Sequence, residues 1–250
     1  MLTKIRNRYF DELERDLRYR IRERTRPSVV DVMGIKISTA SPIVTRKIRR
    51  LIYRGTYEST EMHIVRRHLS AGDRVLEIGA GLGAVGALCA TIIGEDRVVS
   101  VEANPRLETL IRENHRLNGV APKLLIAMVD NSEGEGKFFV QDEFTGSSGF
   151  SRKGNAEEIA VPKRSLSALL DEHRANFLIA DIEGFESHIF DNCSLDGVQK
   201  ICLELHPHII GDAGCDAVIK TLQSKGFIMS IDDLANRIFY FYKETVKGAT

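Results

Sequence analysis

The sequence predicts an α/β fold built on a mostly parallel sheet with helices on both faces. From residue 74 onward, short apolar runs alternate with helical segments, a pattern typical of parallel strands joined by crossover helices. A glycine-rich turn follows the first apolar run, as at the ligand-binding edge of many such sheets. The last two runs are joined too briefly for a crossover helix, so one strand near the edge is expected to run antiparallel.

Length and charge indicate a globular protein with one substantial core and no overall charge. The chain has 250 residues, of which 43% are hydrophobic, enough for one substantial core. Its 35 basic and 35 acidic residues balance, so nothing in the net charge predicts a nucleic-acid partner. The charge is uneven, however, because residues 1–67 contain 17 Lys and Arg against 8 Asp and Glu. A basic N-terminal part on an acidic body suggests a local role for that part.

The cysteines and the N-terminus predict a cytoplasmic location. The four cysteines lack metal-ligand spacing and are interpreted as small buried residues in a reducing compartment. No apolar stretch approaches the roughly 20 residues of a membrane span, so no transmembrane segment is predicted. The first 20 residues are too charged for a signal peptide.

Residues 1–54 are predicted to form a basic helical extension, followed by one domain over residues 55–250. Apolar residues recur every four positions over residues 2–24, with arginines on much of the other face, and this favours an amphipathic helix that ends at Pro27. We expect it to pack on the main domain or to form a homo-oligomer. Contact with a membrane surface or an acidic carrier is the alternative. A second basic run over residues 45–54 leads to a helix with Met62, Ile64, Val65 and Leu69 inward.

Apolar runs and residues typical of helix ends predict the helices and strands of the main domain. Pro105 suits the first turn of a helix that extends to residue 115, and Gly226 suits the end of a later helix. Further helices are expected over residues 85–93, over SLSALLDEH and from Phe185. The predicted strands are RVLEIG, RVVSVEAN, KLLIAMV, NFLIAD, KICLELH, FIMSID and NRIFYFYKE, with KFFVQD and EEIAVP as a paired insert.

The turn VLEIGAGLGAVG predicts a site for an adenosine-containing cofactor. Gly79, Gly81 and Gly83 permit positive φ and a close approach of the ligand to the backbone, and the helix that follows offers free N–H groups. Glu102 ends the next strand, 19 residues after Gly83, where a carboxylate can accept hydrogen bonds from both ribose hydroxyls. The glycines also satisfy the weak dinucleotide pattern G-x-G-x-x-G. Glu77, two residues before Gly79, would repel a pyrophosphate but attract an ammonium and a sulfonium; the alternative is a solvated charge at a strand end.

The chain resembles the class I S-adenosylmethionine-dependent methyltransferases, which have a Rossmann-like fold, and within them the FkbM-type enzymes. Glu77, the three glycines and Glu102 carry the first resemblance. The second rests on GTYESTE, NSEGEGKFFV, TGSSGF, VPKRSLSALL, IADIEGFE and LELHP in this order over residues ~55–245. The resemblance implies S-adenosyl-L-methionine as cofactor, a seven-stranded sheet with one reversed strand, and methyl transfer to a hydroxyl of a sugar or secondary metabolite. It also implies that Asp130 and Asn131 lie near the adenine.

Four polar residues are expected to form the acceptor side of the site. Asp181 and Glu183 follow one predicted strand, and Glu204 and His206 end the next. Parallel strands about 4.8 Å apart bring such ends together at one edge of the sheet. An alcohol must lose its proton to act as a nucleophile, so His206 is a candidate base. Asp181 and Glu183 could orient the hydroxyl, keep a base charged, or bind a divalent cation such as Mg²⁺.

Several alternatives remain open from sequence. Glu183 could cap the following helix, and His206 could bond a turn before Pro207. Ser147 and Ser148 could contact the cofactor or the acceptor, or only form a turn. A nicotinamide-dependent oxidoreductase would use the same loop, and a non-catalytic interaction protein would bind through the arginine-rich helix. The expected partner is a small-molecule or glycan hydroxyl acceptor, without nucleic acid.

Overall fold

The computed structural model describes residues 2–140, 157–235 and 237–244, with side chains from residue 12 onward. The helices in chain order are α1 (Leu2–Thr25), α2 (Arg46–Arg54), α3 (Ser59–His68), α4 (Ala84–Ile93), α5 (Glu108–Leu117), α6 (Leu166–His173), α7 (Glu186–Ile189) and α8 (Pro207–Ser224). Short 3₁₀ turns cover Glu95–Arg97 and Pro105–Leu107. The strands are β1 (Val29–Val32), β2 (Ile35–Ser38), β3 (Val75–Ile78), β4 (Val98–Glu102), β5 (Lys123–Ile126), β6 (Met128–Asp130), β7 (Gly134–Val140), β8 (Glu157–Ser165), β9 (Phe177–Ala180), β10 (Lys200–Glu204), β11 (Ile228–Met229) and β12 (Ile238–Tyr242).

The central sheet has seven strands in the order β11-β12-β10-β9-β3-β4-β5. Strands β10, β9, β3, β4 and β5 are parallel, and β12 is antiparallel to both of its neighbours. This arrangement confirms the predicted seven-stranded sheet with one reversed strand. Because β3 lies between β4 and β9, the chain builds the sheet outward in both directions from β3, which creates a crevice at the carboxyl ends of these strands.

The predicted third strand is split in two. KLLIAMV reads as one apolar run, but the chain leaves the central sheet after β5 and pairs β6 with β8 in a separate three-stranded sheet. The predicted pairing of the insert is confirmed, because β7 and β8 are antiparallel over seven residue pairs. Ser147 and Ser148 lie outside the described residues.

The N-terminal region contains a hairpin that was not predicted. Strands β1 and β2 pair through a turn at Met33 and Gly34, which have φ of 52° and 80°. Their apolar residues share one buried cluster with α2, α3 and α4. The core therefore contains residues from both sides of the predicted domain boundary at residue 54.

Helix α1 exposes part of its apolar stripe. Leu13, Leu17 and Ile21 are 48%, 59% and 54% exposed, whereas Tyr19 packs against the core. Arg22 donates a hydrogen bond to the Tyr53 carbonyl at 2.9 Å. The role of α1 in oligomerisation stays a prediction. None of the described helices has the length and apolar character needed to span a membrane, and all four cysteines are free.

Candidate active site

A cavity of about 310 Å³ opens at the carboxyl ends of β3, β4, β9 and β10. Its position is the crevice predicted by the strand order. The residues around it come from the loops after these strands, from α2 and α3, and from β6 and β7. The polar and glycine residues of its wall are Tyr57, Glu58, Glu61, Gly79, Gly81, Glu102, Asp181, Glu183, Glu204 and His206.

The glycine loop after β3 packs closely against neighbouring loops and lines the cavity. Gly79 and Gly81 have φ of 83° and 55° and both line the cavity. A Cβ on Gly79 would lie 1.7 Å from the Asp181 carbonyl oxygen, so the loops after β3 and β9 are in direct backbone contact. A Cβ on Gly81 would lie 3.0 Å from both Tyr57 Oη and Glu58 Oε1. Only glycine suits these positions.

Glu102 lies at the end of β4 with its carboxylate at the cavity. Its Oε2 accepts a hydrogen bond from the Gly81 N–H at 2.9 Å and its Oε1 accepts one from the Asn104 N–H at 2.8 Å. Burial raises the pKa of Glu102 to about 7 despite these hydrogen bonds. Each carboxylate oxygen has a second lone pair, so the group can still accept hydrogen bonds from a ribose.

Glu77 is not among the residues that line the cavity, and its predicted direct contact with the cofactor stays a prediction. The side chain is buried under the loop, where Oε1 accepts from the Gly86 N–H at 2.9 Å and Oε2 accepts from the Ser100 hydroxyl. A Cβ on Gly86 would lie 2.4 Å from Glu77 Oε2, so this glycine admits the carboxylate. Burial raises the pKa of Glu77 to about 7. The group ties β3 to β4 and to the first turn of α4.

Three other predicted cofactor residues also lie away from the cavity wall. Gly83 has φ of 76° and faces Ile111 and His115, so it permits close packing of α4 on α5. Asp130 pairs with Lys163 Nζ at 2.9 Å and contacts His188, and Asn131 donates to the His188 carbonyl at 2.7 Å. Instead, the cavity wall near β6 contains Met128 and Val129.

The four predicted acceptor-side residues converge on the cavity. His206 is only 5% exposed, and its Nε2 lies 3.5 Å from Asp181 Oδ1, 3.8 Å from Glu204 Oε1 and 3.9 Å from Glu183 Oε2. Asp181 Oδ1 is buried and has no hydrogen-bond partner among the residues that the structure describes. Glu183 has φ of 47°, an uncommon backbone for a residue other than glycine that is often found at functional sites.

These groups alter one another's pKa. Burial raises the pKa of Asp181 well above its usual range, and the charge of Glu204 adds to the effect. Burial and the charges of Glu61 and Glu183 raise the pKa of Glu204 to about 8. Burial alone would lower the pKa of His206, but its carboxylate neighbours raise it above the ordinary value. Such mutual shifts are typical of functional sites.

The sequence reasoning missed Glu186. This residue is fully buried, and its Oε1 lies 2.5 Å from His206 Nδ1. The carboxylate also accepts a hydrogen bond from the Gly184 N–H at 3.1 Å. The alternative in which the His206 side chain only bonds a turn is therefore wrong. Glu186 belongs to the quoted DIEGFE stretch, and a fully buried carboxylate cannot be told from an exposed helical one by sequence.

The segment before α3 also reaches the site without having been predicted to do so. The Tyr57 hydroxyl accepts from the Leu82 N–H at 3.3 Å. Burial raises the pKa of Glu58 well above its usual range, and its Oε2 has no hydrogen-bond partner among the described atoms. Glu61 is 9% exposed and its pKa is raised by burial. Tyr57, Glu58 and Glu61 all belong to the GTYESTE stretch, so the resemblance of this stretch to the family could have pointed to them.

Some residues around His206 have the spacing of a cation site, but these residues differ from the predicted pair Asp181 and Glu183. Among the described residues, Asp181, Glu204 and His206 each offer one ligand atom, and these atoms lie within 4.8 Å of one another. Acidic clusters of this kind also occur without a metal ion, so the geometry alone identifies none.

Comparisons with known proteins identify the family. The family model for the methyltransferase FkbM domain matches residues 77–229, which are 153 of the 250 residues. No curated protein matches the chain.

Solved structures of several methyltransferases are similar to this chain. One is precorrin-6y C5,15-methyltransferase from Geobacter metallireducens GS-15, with 14% identity, a TM-score of 0.48, and coverage of 83% of this chain and 94% of that chain. Another is the tRNA (uracil-54, C5)-methyltransferase of Pyrococcus abyssi in complex with S-adenosyl-L-homocysteine, with 13% identity, a TM-score of 0.48, and coverage of 86% and 44%. A methyltransferase from Pyrococcus furiosus has 13% identity, a TM-score of 0.44, and coverage of 96% and 99%.

The family match covers the glycine loop, Glu102 and the whole acceptor-side cluster, which are the residues that the sequence singled out. It also decides between methyl transfer and the alternative of hydride transfer to a nicotinamide. The chain belongs to the FkbM family of methyltransferases and uses S-adenosylmethionine.

Proposed function

We propose that this protein transfers a methyl group to a hydroxyl oxygen of a small-molecule or glycan acceptor, such as a sugar or a secondary metabolite. One observation carries the proposal. His206 directs Nε2 into the cavity while Glu186 occupies Nδ1 at 2.5 Å. A histidine held by a buried carboxylate is suited to remove a proton, and an alcohol needs that removal before it attacks a methyl group.

The residues present fit S-adenosylmethionine on the β3 and β4 side of the cavity. Gly79 and Gly81 line this side of the cavity, and Glu102 can bind the ribose hydroxyls there. Glu77 acts indirectly by fixing the loop through Gly86 and Ser100. When bound, this cofactor supplies an electrophilic methyl group on a sulfonium.

The acceptor side then performs the proton transfer. The acceptor hydroxyl would donate a hydrogen bond to His206 Nε2, and the bound cofactor would supply the methyl group that the hydroxyl oxygen takes up. The hydroxyl proton moves to Nε2, and the imidazolium is stabilised by the Glu186 carboxylate, 2.5 Å from Nδ1. The oxygens of Asp181, Glu183 and Glu204 lie 3.5–3.9 Å from Nε2. The products are a methyl ether and S-adenosylhomocysteine, and His206 later releases the proton to water.

Neither a cation nor a nucleic acid is part of this proposal. The comparisons give no support to Mg²⁺, and His206 can accept the proton without it. The Pyrococcus abyssi protein acts on tRNA by its name, but a likeness at this level concerns the fold.

The proposal is tested by incubating purified protein with methyl-deuterated S-adenosylmethionine and a panel of sugars, glycans and polyhydroxylated metabolites. Mass spectrometry should locate the label on a hydroxyl oxygen. His206→Ala should reduce turnover by roughly 10²–10⁴, the usual effect of a positioned base, while S-adenosylhomocysteine binds with affinity within about threefold. Labelling of nitrogen, carbon or RNA would contradict the proposal, as would full turnover by His206→Ala.

A further inference from the structure

A second cavity lies outside the methyl-transfer site and is lined by arginines. It measures about 540 Å³ and lies between the end of α1, the β1–β2 hairpin and α2. Its wall contains Glu23, Arg26, Ser28, Thr39, Ala40, Arg46, Arg49 and Tyr53. We call it the basic cavity.

The basic cavity has an uncompensated positive charge. Its wall contains three arginines and one acidic residue, Glu23. Among the described side chains, Arg26 and Arg46 form no ion pair and no hydrogen bond, and Arg49 only donates to the Val44 carbonyl at 2.8 Å. Like charges gathered in a concave site raise its potential and attract an anion.

Helix α2 reinforces this charge. It begins at Arg46 with no acidic residue in its first turn, although the helix dipole favours acidic residues there. The Thr45 side chain caps this turn by accepting from the Ile48 N–H, and the positive end of the helix dipole has the same sign as the arginines. Arg46, Arg49 and Tyr53 are spaced as i, i+3 and i+7, which places them on one face of the helix.

The geometry points to a binding site for a phosphoryl group in the basic cavity, and we propose that the chain binds a phosphorylated small molecule or lipid headgroup there. Guanidinium groups match phosphate oxygens in pairs, and three of them suit a group with two or more negative charges. The cavity of about 540 Å³ has room for a phosphoryl group together with a further moiety. This site is independent of the acceptor proposed above.

The position of α2 connects the two cavities. Leu51 lines the methyl-transfer cavity, whereas Tyr53 lines the basic cavity. Ligands in the two cavities would therefore contact the same helix.

Calorimetry with inorganic pyrophosphate tests the proposal on full-length protein saturated with S-adenosylhomocysteine, which occupies the other cavity. Arg46→Gln should weaken pyrophosphate binding by at least about tenfold, and adding Arg49→Gln should weaken it further. Arg50→Gln is the matched control, since Arg50 lies on the same helix but stacks on Tyr19. Arg46→Gln loses no contact among the described side chains, so a comparable melting temperature is expected.

Two further arms distinguish the sources of the phosphoryl group. Sedimentation with phosphatidylcholine vesicles containing phosphatidic acid reports a headgroup, and competition by glucose 1-phosphate in the calorimeter reports a soluble ester. Binding in either arm that is lost in Arg46→Gln and kept in Arg50→Gln supports the site. Absence of pyrophosphate binding, or equal weakening in Arg50→Gln, would overturn it.

Discussion

The carboxylate of Glu186 holds His206 through Nδ1 at 2.5 Å, and both side chains are buried. When the carboxylate accepts, the Nδ1–H donates, and Nε2 is left as the unprotonated nitrogen that faces the cavity. The relationship fixes the tautomer as well as the orientation of the ring. It therefore makes Glu186 a positioning residue for the proposed base.

Turnover should depend on pH through His206. Its pKa is raised by its carboxylate neighbours, and a base works only when deprotonated. The rate under saturating S-adenosylmethionine should therefore rise with pH through a value above about 6.5, the ordinary pKa of histidine. In Glu186→Gln the charge is lost, and this rise should shift to lower pH. An unchanged profile in Glu186→Gln would contradict its positioning role, whatever happens to the rate.

The carboxylate pair beside His206 should serve the acceptor rather than the cofactor. We expect Asp181→Asn and Glu183→Gln to leave S-adenosylhomocysteine affinity within about threefold and to reduce turnover by roughly 10²–10⁴. Calorimetry and initial rates measure the two effects separately. Loss of cofactor affinity in both variants would reassign the pair to the cofactor.

A chelator separates base catalysis from cation catalysis at the same cluster. With His206 as the only base, we expect turnover of the wild type to be unchanged by a chelator and by added Mg²⁺. Loss of turnover on chelation, with recovery on addition of Mg²⁺, would instead assign a cation to Asp181, Glu204 and His206.

Glu102 should contribute directly to cofactor affinity. Glu102→Ala is expected to weaken S-adenosylmethionine by about 1–3 kcal/mol, because charge-assisted hydrogen bonds to the ribose are lost. The Gly81 N–H also loses its partner at 2.9 Å, so the loop is affected in the same direction. Equal affinity in a calorimeter would rule out the ribose assignment.

Glu77 should make the stability of the fold depend on pH. Its folded-state pKa of about 7 exceeds the ordinary 4.5, so the folded chain binds more protons and the free energy of unfolding falls as pH rises through this interval. The shift corresponds to about 3 kcal/mol. Glu77→Gln should therefore gain up to that amount relative to wild type between pH 5 and pH 8, as measured by denaturant unfolding.

A matched control for Glu77 is Glu172→Gln. Arg164 and Lys123 lower the pKa of Glu172 to about 2, so its contribution does not change between pH 5 and pH 8. If the difference between Glu77→Gln and wild type is constant over this range, Glu77 is not protonated in the folded chain at neutral pH.

Removal of α1 tests the role of its exposed stripe. A chain that begins at Ser28 keeps the β1–β2 hairpin but loses Leu13, Leu17 and Ile21. We expect a lower mass in light scattering if the stripe forms an oligomer, or a lower melting temperature if α1 only packs on α2. Equal mass, stability and activity would refute both.

The sequence predicted the central sheet because apolar strands and glycine turns are encoded locally. The break between β5 and β6 was not predictable from KLLIAMV, since one apolar run serves two sheets without a local signal. The β1–β2 hairpin turns at Met33 and Gly34, which lack the usual Asn-Gly signature.

The same reasoning explains the outcome for the candidate site. Glu102, Asp181, Glu183, Glu204 and His206 line one cavity because strand ends in a parallel sheet meet at one edge, and their roles stay predictions. Glu77 lies on a strand buried on both faces, and sequence gives no direction for its side chain there. The packing of α4 decides whether the Glu77 carboxylate contacts a ligand or accepts a hydrogen bond from the Gly86 N–H.

The backbone contact between Gly79 and Asp181 also limits how the enzyme can be engineered. Because any side chain at position 79 would displace the Asp181 carbonyl, the donor and acceptor halves of the site share one rigid joint, and a library randomised there would return only glycine. New acceptor preferences are better sought at Leu51 and Phe138, which also line the cavity but lie on elements outside the central sheet. The positions that fix the backbone of the site thus differ from the cavity positions that can be varied.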